Sequence, residues 1–332
     1  MNENKELYEQ MTKAGLNETD FHGIETLTDS YIEYANDIEK KKINFGFPIL
    51  NDLIRGLRVQ ELLTVVAGTG IGKSALALNF LLNFVKNTNE LTVLFSLEMS
   101  NIGIGERIFQ IELDKFGFEI ENGFVKQDNN FINDCRKLDN SLSNFRIIVN
   151  RIDVHKIPDY IKAIEMIKNK KVRLVAVDYV GLMDNYLFPK DEYLRTTDNM
   201  KKLYSFAKKL DVAIINLSQT SRQDVKGNNN GLSLYSGKGS GEVENSSDFF
   251  LTLERVDKPD DNEKDRFLKV REYNQKNNTM LDLLKLAIHK NRRGKTGIVY
   301  VTFNRKNLRI KEYNENDFLN IRVNDKKDIT LE

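Results

Sequence analysis

The clearest chemical signal in the sequence is a glycine-rich motif between two apolar segments. It consists of Ala67, Gly68, Thr69, Gly70, Ile71, Gly72, Lys73 and Ser74. Leu62–Ala67 predicts a buried strand before it and Ser74–Val85 a buried helix after it, which is the setting of a P-loop with Ala in the first glycine position. The glycines let backbone N–H groups point inward, and the helix N-terminus adds its positive dipole end. The motif predicts a nucleotide phosphate site; its flanking elements disfavour the alternative, a glycine-rich turn without ligand.

Hydrolysis of a bound nucleotide needs side chains of several types. Lys73 places a cation on the β- and γ-phosphates, and the Ser74 hydroxyl can ligate Mg²⁺. Asp178 ends the apolar run Leu174–Asp178, which makes it the candidate for the Mg²⁺ shell, the alternative being a solvated loop residue. Glu98 follows the next strand after the P-loop helix and is the candidate for the base that polarises water. Its alternative is a helix N-cap or first-turn residue.

Three further polar residues follow apolar runs. Gln219 ends the predicted strand Val212–Ser218, where its amide can contact a γ-phosphate, although a turn residue is the usual alternative. Lys290 and Arg292 are two residues apart on an extended segment, so they face the same side. Two cations held together suit the transition state of a γ-phosphate, in the role of an arginine finger. The alternative is a solvated basic patch.

Residues 221–241 are rich in Gly, Asn and Ser and predict a mobile loop immediately after Gln219. Arg222, Lys226 and Lys238 in this loop suit a nucleic-acid phosphate backbone, a contact that carries no sequence information. A disordered surface loop is an equally good interpretation of the composition.

The elements that position these residues are short apolar strands alternating with helices. Further strand candidates are Thr92–Leu97, Phe145–Val149, Val212–Ser218, Phe249–Leu253 and Leu283–His289. Gly297–Phe303 and Leu308–Tyr313 alternate in polarity and predict an edge hairpin. We therefore expect an α/β fold, with a mostly parallel twisted sheet covered by helices on both faces. A charged stretch, residues 256–279, is predicted to hold a solvated helix near Glu263–Lys276.

Length and composition limit the protein classes that remain. The chain has 332 residues, 50 Lys+Arg against 49 Asp+Glu, and a hydrophobic share of 40%, which excludes wholesale disorder and a chain that is basic throughout. No apolar run reaches the roughly 18 residues of a membrane helix, and the N-terminus has no secretory signal. The single cysteine, Cys135, excludes an intrachain disulfide. The expected compartment is the cytoplasm.

In their order along the chain, these motifs resemble the DnaB-type replicative helicases, which have a RecA-like P-loop ATPase core. The resemblance begins at FGFPILNDLIRGL (residues 45–57) and continues through AGTGIGKS, FSLEMS with Arg107 after it, LVAVDYVGLM and NLSQTSR. It closes with SGEVENSSD (residues 240–248) and HKNRRGKTG (residues 289–297).

The resemblance implies an organisation in three parts. Residues 1–42 form an N-terminal helical extension whose apolar stripe, near Ile24–Ile38, docks on a neighbouring subunit. Residues 43–312 form the RecA-like ATPase domain, and residues 313–332 a polar tail. The extension is too short for the helical N-terminal domain of the family, which predicts a short form similar to phage or plasmid helicases.

The resemblance also implies roles for the residues. ATP and Mg²⁺ bind at Lys73, Ser74 and Asp178, Glu98 is the base, and Gln219 is the sensor. Lys290 and Arg292 contact the ATP of the neighbouring subunit. Lys238, Gly239 and Gly241 contact single-stranded DNA in the channel of a hexameric ring that moves 5′ to 3′ at a replication fork, with a loader and primase as partners. A recombinase of the RecA type and a nucleotide-gated DNA-binding loader are the alternatives.

Overall fold

A mixed sheet forms the centre of the molecule. The computed structural model describes residues 11, 15, 23–219 and 240–318, and these contain a nine-stranded sheet. Its strands are β1 (Leu62–Ala67), β2 (Leu91–Ser96), β3 (Phe145–Ile148), β4 (Val172–Asp178), β5 (Ala213–Gln219), β6 (Phe249–Arg255), β7 (Leu281–Asn291), β8 (Gly297–Asn304) and β9 (Ile310–Glu312). The order is β3-β2-β4-β5-β1-β6-β7-β8-β9; the first six strands run parallel, and β7, β8 and β9 continue antiparallel. The predicted α/β class with a mostly parallel sheet is confirmed.

The apolar runs locate every strand but not every strand end. β7 extends beyond its apolar run to Leu281 and Asn291, because its ladders with β6 and β8 continue over polar residues. The predicted strand Leu308–Tyr313 is wrong in its bounds, since β9 covers only three of those residues. Leu308 has a left-handed φ of 57°, which places it in the turn after β8 rather than in a strand.

Eleven helices lie among the described residues. They are α1 (Ile24–Asn36), α2 (Ile38–Lys41), α3 (Pro48–Ile54), α4 (Lys73–Thr88), α5 (Asn101–Leu113), α6 (Gly117–Val125), α7 (Asn129–Ser141), α8 (Ile157–Lys168), α9 (Glu192–Lys209), α10 (Ser240–Asn245) and α11 (Lys264–Asn277). The helix after the P-loop is longer than predicted and begins at Lys73 itself.

The core has two layers because side chains alternate across each strand. In β1, Leu63 and Val65 pack with α4 on one face, and Leu62 and Val66 pack with α9 on the other. Phe80 of α4 stacks on Phe45 and meets Phe47 edge to face, with ring centroids 4.4 Å and 4.9 Å away. All six side chains of β1 are buried, which fixes the position of the motif that follows it.

Two polar stretches differ from their predictions. The charged helix α11 is not fully solvated, because Val270 packs with Leu283 and Phe318 in a small apolar cluster over the antiparallel strands. The predicted loop at residues 221–241 ends earlier, since Ser240 and Gly241 already belong to α10. The part of this loop before residue 240 lies outside the described residues.

The chain divides into two compact units, Met1–Lys42 and Ile43–Glu332. In the first unit, α1 carries exposed apolar side chains, with Ile24, Leu27, Tyr31 and Ile32 between 49% and 78% accessible. No helix in the described part of the chain combines the length and apolar character required to cross a bilayer.

Candidate nucleotide site and the opposite edge of the sheet

The P-loop connects the end of β1 to the start of α4 at the carboxyl edge of the parallel strands. Gly70 and Gly72 adopt φ values of 78° and 113°, a backbone region that side chains rarely allow. A Cβ at Gly72 would lie at an ordinary contact distance, 3.4 Å, from Phe303 Cε1, so the backbone angle rather than crowding favours glycine there. The turn therefore requires glycine at both positions, and it directs the first N–H groups of α4 toward one point.

Lys73 is a buried cation. It is 6% exposed, and its Nζ lies 4.9 Å from the centre of the Tyr179 ring. Burial lowers the pKa of its ammonium, against the attraction of Asp178 and Glu98. An ammonium held with so little water is suited to bind phosphate oxygens.

Asp178 ends β4 and is 3% exposed. The Ser74 hydroxyl hydrogen-bonds to its carboxylate. Among the residues that the structure describes, the buried carboxylate oxygen Oδ1 has no hydrogen-bond partner. Burial raises the pKa of the carboxyl, although Ser74 and the charge of Lys73 oppose the shift. An unsatisfied carboxylate oxygen beside a hydroxyl is a donor set that fits Mg²⁺.

Glu98 lies on an exposed segment between β2 and α5, close enough to Lys73 and Asp178 to interact electrostatically with both. It does not cap the next helix, because Ser100 is the N-cap of α5 and accepts from the Gly103 N–H at 3.2 Å. The carboxylate of Glu98 is therefore available at the mouth of the pocket.

Gln219 ends β5, and its Nε2 donates to Thr69 Oγ1 at 3.1 Å. In the parallel ladder it lies opposite Ala67, the first residue of the P-loop motif. The structure thus connects the P-loop directly to Gln219, the residue that precedes the 220–239 segment in the sequence.

Lys73, Ser74, Glu98 and Gln219 line one cavity of about 380 Å³, whereas Asp178, Ala67 and Ile71 are not among its lining residues. It is lined by Gly68, Thr69, Gly70, Gly72, Lys73, Ser74, Ala75, Glu98, Met99, Arg107, Gln219, Phe303 and Leu308. The lining residues without a predicted role are Ala75, Met99, Arg107, Phe303 and Leu308. Met99 lies inside the motif FSLEMS and Arg107 follows it, whereas Phe303 and Leu308 belong to the antiparallel hairpin and carried no chemical signal in the sequence.

Lys290 and Arg292 lie at the opposite edge of the sheet. β7 runs antiparallel to β6, so its end at Asn291 pairs with Phe249 at the start of β6. The Arg292 N–H donates to the Asp248 carbonyl at 3.2 Å, and the Asp248 N–H donates to the Leu62 carbonyl at 2.8 Å. From Leu62 to the P-loop, β1 rises by roughly 20 Å. The cations therefore cannot reach the nucleotide site of their own chain.

Both cations are held by groups of their own chain. Lys290 Nζ donates to the carbonyl oxygens of Glu244 at 2.7 Å and Asn245 at 3.4 Å, at the end of α10. Arg292 Nη1 lies 3.1 Å from Asp248 Oδ1 and 2.9 Å from the Tyr204 hydroxyl. Burial, together with the charge of Arg292, lowers the pKa of Lys290.

The DNA-binding predictions fall mostly outside the described residues, which is the case for Arg222, Lys226, Lys238 and Gly239. Gly241 lies in α10.

A family profile described as "DnaB-like helicase C terminal domain" matches residues 42–312. The chain belongs to this family. Among curated proteins, the replicative DNA helicase DnaB of Mycoplasma pneumoniae is 30% identical over 86% of this chain and 60% of its own length. The replicative DNA helicase DnaB of Geobacillus stearothermophilus is 25% identical over 90% of this chain and 61% of its own length. The chain thus spans about three fifths of the length of these relatives.

Solved structures confirm the RecA-like helicase ATPase fold. One of them, an isolated ATPase domain, superposes with a TM-score of 0.71 at 21% identity, covering 87% of this chain and 99% of that domain. A DnaB-like replicative helicase, described together with its interactions with primase, gives a TM-score of 0.70 at 20% identity over 88% of this chain and 67% of its own.

Proposed function

We propose that this chain is a subunit of an ATP-dependent replicative DNA helicase that forms a ring and moves 5′ to 3′ on single-stranded DNA. Family membership supports the class. The single observation that carries the proposal is the separation of the phosphate cavity from Lys290 and Arg292 by the length of the sheet. A chain with its cations at the far edge obtains a complete catalytic site when a second copy presents them.

Within one subunit, the proposed roles are phosphate binding, activation of water, Mg²⁺ binding and contact with the nucleoside. The P-loop amides and Lys73 bind the β- and γ-phosphates of ATP, and Glu98 accepts a proton from the attacking water. Ser74 and Asp178 hold Mg²⁺, which when bound neutralises charge on the phosphates. Gln219 contacts the γ-phosphate, and the apolar side chains of Phe303 and Leu308 lie against the nucleoside.

Between subunits, Lys290 and Arg292 approach the neighbour's γ-phosphate. Arg292 stabilises the charge of the transition state as an arginine finger. The exposed apolar side chains of α1 supply a second contact, because an amphipathic helix with unburied apolar residues is stabilised by covering them. We propose that residues 1–42 dock on the adjacent subunit of a hexamer and that residues 43–312 are the ATPase domain. Residues 313–332 are proposed as a polar C-terminal segment, of which Tyr313 and Phe318 pack with α11.

Movement on DNA follows from the position of Gln219. The residue contacts the P-loop through Thr69, and the predicted DNA loop begins two residues later, at residue 221. We propose that loss of the γ-phosphate changes this contact and shifts Arg222, Lys226, Lys238, Gly239 and Gly241 along one phosphate backbone. Contacts of this kind make binding independent of sequence.

The proposed partners are a replication fork, a loader and primase. The fork and primase are supported by the names of the curated relatives, which are replicative DNA helicases, and by a solved DnaB-like helicase described with primase. The loader is proposed from the family resemblance. We propose that the helicase acts in the cytoplasm.

The proposal is tested with a labelled forked duplex and ATP. We expect strand displacement that requires a 5′ single-stranded tail, is lost with a non-hydrolysable ATP analogue and is lost in Lys73→Ala. Mass measurement with the analogue and single-stranded DNA should give six copies. An open-ended series of assemblies without strand displacement would instead indicate a recombinase and refute the helicase.

A further inference from the structure

Among the described residues, partners of the Arg292 guanidinium contact one of its three nitrogens, Nη1. Its Nη1 faces both Asp248 Oδ1 at 3.1 Å and the Tyr204 hydroxyl at 2.9 Å, and its guanidinium lies 5.7 Å from the centre of the Tyr204 ring. Within the part of the chain that the structure describes, Nη2 and Nε have no hydrogen-bond partner. The side chain is 47% exposed, so the guanidinium is accessible from outside the subunit.

The two acceptors differ in what else they hold. Asp248 also accepts the Leu62 N–H at 2.9 Å, so it joins the start of β1 to the end of β7 and supports the fold itself. Tyr204 lies on α9, and among the described residues its hydroxyl bonds only to Arg292. Removing this hydroxyl therefore loosens the guanidinium without breaking a contact of the sheet.

An unrestrained arginine side chain samples many rotamers. Rotamers that do not place the guanidinium against the γ-phosphate reduce the fraction of time in which it can stabilise the transition state. Holding Nη1 at two points fixes the plane of the guanidinium while leaving Nη2 and Nε to bind an anion. We propose that Tyr204 is a positioning residue that orients Arg292 toward the γ-phosphate of the neighbouring subunit. The inference rests on the proposed function, because it requires Arg292 to act between subunits.

Tyr204→Phe is the direct test, since it removes one oxygen atom and keeps the ring. Tyr193→Phe is the matched control, because Tyr193 lies on the same helix with an exposed side chain. With saturating single-stranded DNA, we expect Tyr204→Phe to lower kcat for ATP by about five- to tenfold, as expected for loss of one charge-assisted hydrogen bond. KM and the affinity for a fluorescent ATP analogue should stay within about twofold, because the P-loop of the variant is intact.

Mixing subunits separates positioning from a structural role. Lys73→Ala subunits have no working P-loop but carry a normal Tyr204 and Arg292. Added to Tyr204→Phe subunits, they should raise turnover per intact P-loop, since each Tyr204→Phe site then receives a well-held finger. If Tyr204 acts on its own P-loop, or supports only the fold, added Lys73→Ala subunits leave turnover per intact P-loop no higher than in Tyr204→Phe alone.

Two results would overturn the inference: wild-type kcat in Tyr204→Phe, or a loss of kcat that Lys73→Ala subunits do not restore. Failure of the proposed function gives a different result, namely full turnover in Arg292→Ala. If Arg292→Ala is inactive and Tyr204→Phe has normal turnover, the proposed function stands and only the role of Tyr204 is refuted.

Discussion

Asp178→Asn should raise stability while it abolishes ATP turnover. The substitution keeps the shape of the side chain and removes its charge. In the structure the carboxylate is 3% exposed, and burial outweighs the favourable influence of Ser74 and Lys73, so its pKa is raised. Leaving a buried polar oxygen without a partner costs about 1–3 kcal/mol.

An amide at residue 178 also has imperfect partners, so we expect about 1 kcal/mol of net stabilisation. For a domain of this size, that corresponds to a rise of about 2–4 °C in the thermal midpoint. Turnover should fall to the level of Lys73→Ala, because the carboxylate that is proposed to hold Mg²⁺ is gone. The gain in stability and the loss of turnover have one cause: the buried charge of Asp178 destabilises the fold and is retained because ATP hydrolysis requires it.

The measurement is a thermal melt without nucleotide beside an ATPase assay with Mg²⁺. Asp184→Asn is the control, because Asp184 follows the same strand but is exposed, and it should change neither quantity. A lower midpoint in Asp178→Asn would show that the carboxylate supports the fold, and retained turnover would show that it does not support the reaction. Either result refutes the reasoning.

Three other predictions concern the core, the pH dependence and the DNA loop. Phe80→Ala should lower the free energy of unfolding by about 3–5 kcal/mol in denaturant titrations, because it leaves a cavity beside Phe45 and Phe47. A decrease of less than about 1 kcal/mol would contradict this packing. Burial, together with the charge of Lys285, lowers the pKa of His289, so as the pH falls the unfolded chain binds this proton before the folded chain does. The free energy of unfolding should therefore fall as the pH drops below 6.5, and His289→Gln should reduce this dependence on pH. Lys238→Ala should weaken single-stranded DNA binding and reduce its log–log salt slope by about 1; an unchanged titration would remove the residue from the interface.

Local patterns were sufficient to predict the parallel half of the sheet. Buried parallel strands are continuous apolar runs, and β1 has the predicted bounds. The P-loop was equally predictable because its chemistry depends on contiguous residues. The ends of β7 were not, because ladder pairing rather than residue type extends it to Asn291.

Contacts between distant parts of the chain could not be obtained from the sequence. Tyr204 meets Arg292 across 88 residues, and Phe303 reaches Gly72 from the last hairpin. Neither aromatic residue belongs to a motif, so only the folded chain shows what it contacts. The same holds for Asp248, whose Oδ2 accepts the N–H of Leu62 at the start of β1 and whose Oδ1 pairs with Arg292 just after β7.

The central claim is that ATP is hydrolysed between two copies of the chain, one supplying the P-loop and the other Arg292. Complementation tests it directly: Lys73→Ala and Arg292→Ala are each assayed alone and then as mixed assemblies with single-stranded DNA. Each variant alone should be inactive, and the mixture should regain turnover, because Arg292→Ala P-loops then face intact fingers. A mixture as inactive as its components, or an Arg292→Ala protein that hydrolyses ATP normally, would contradict the claim.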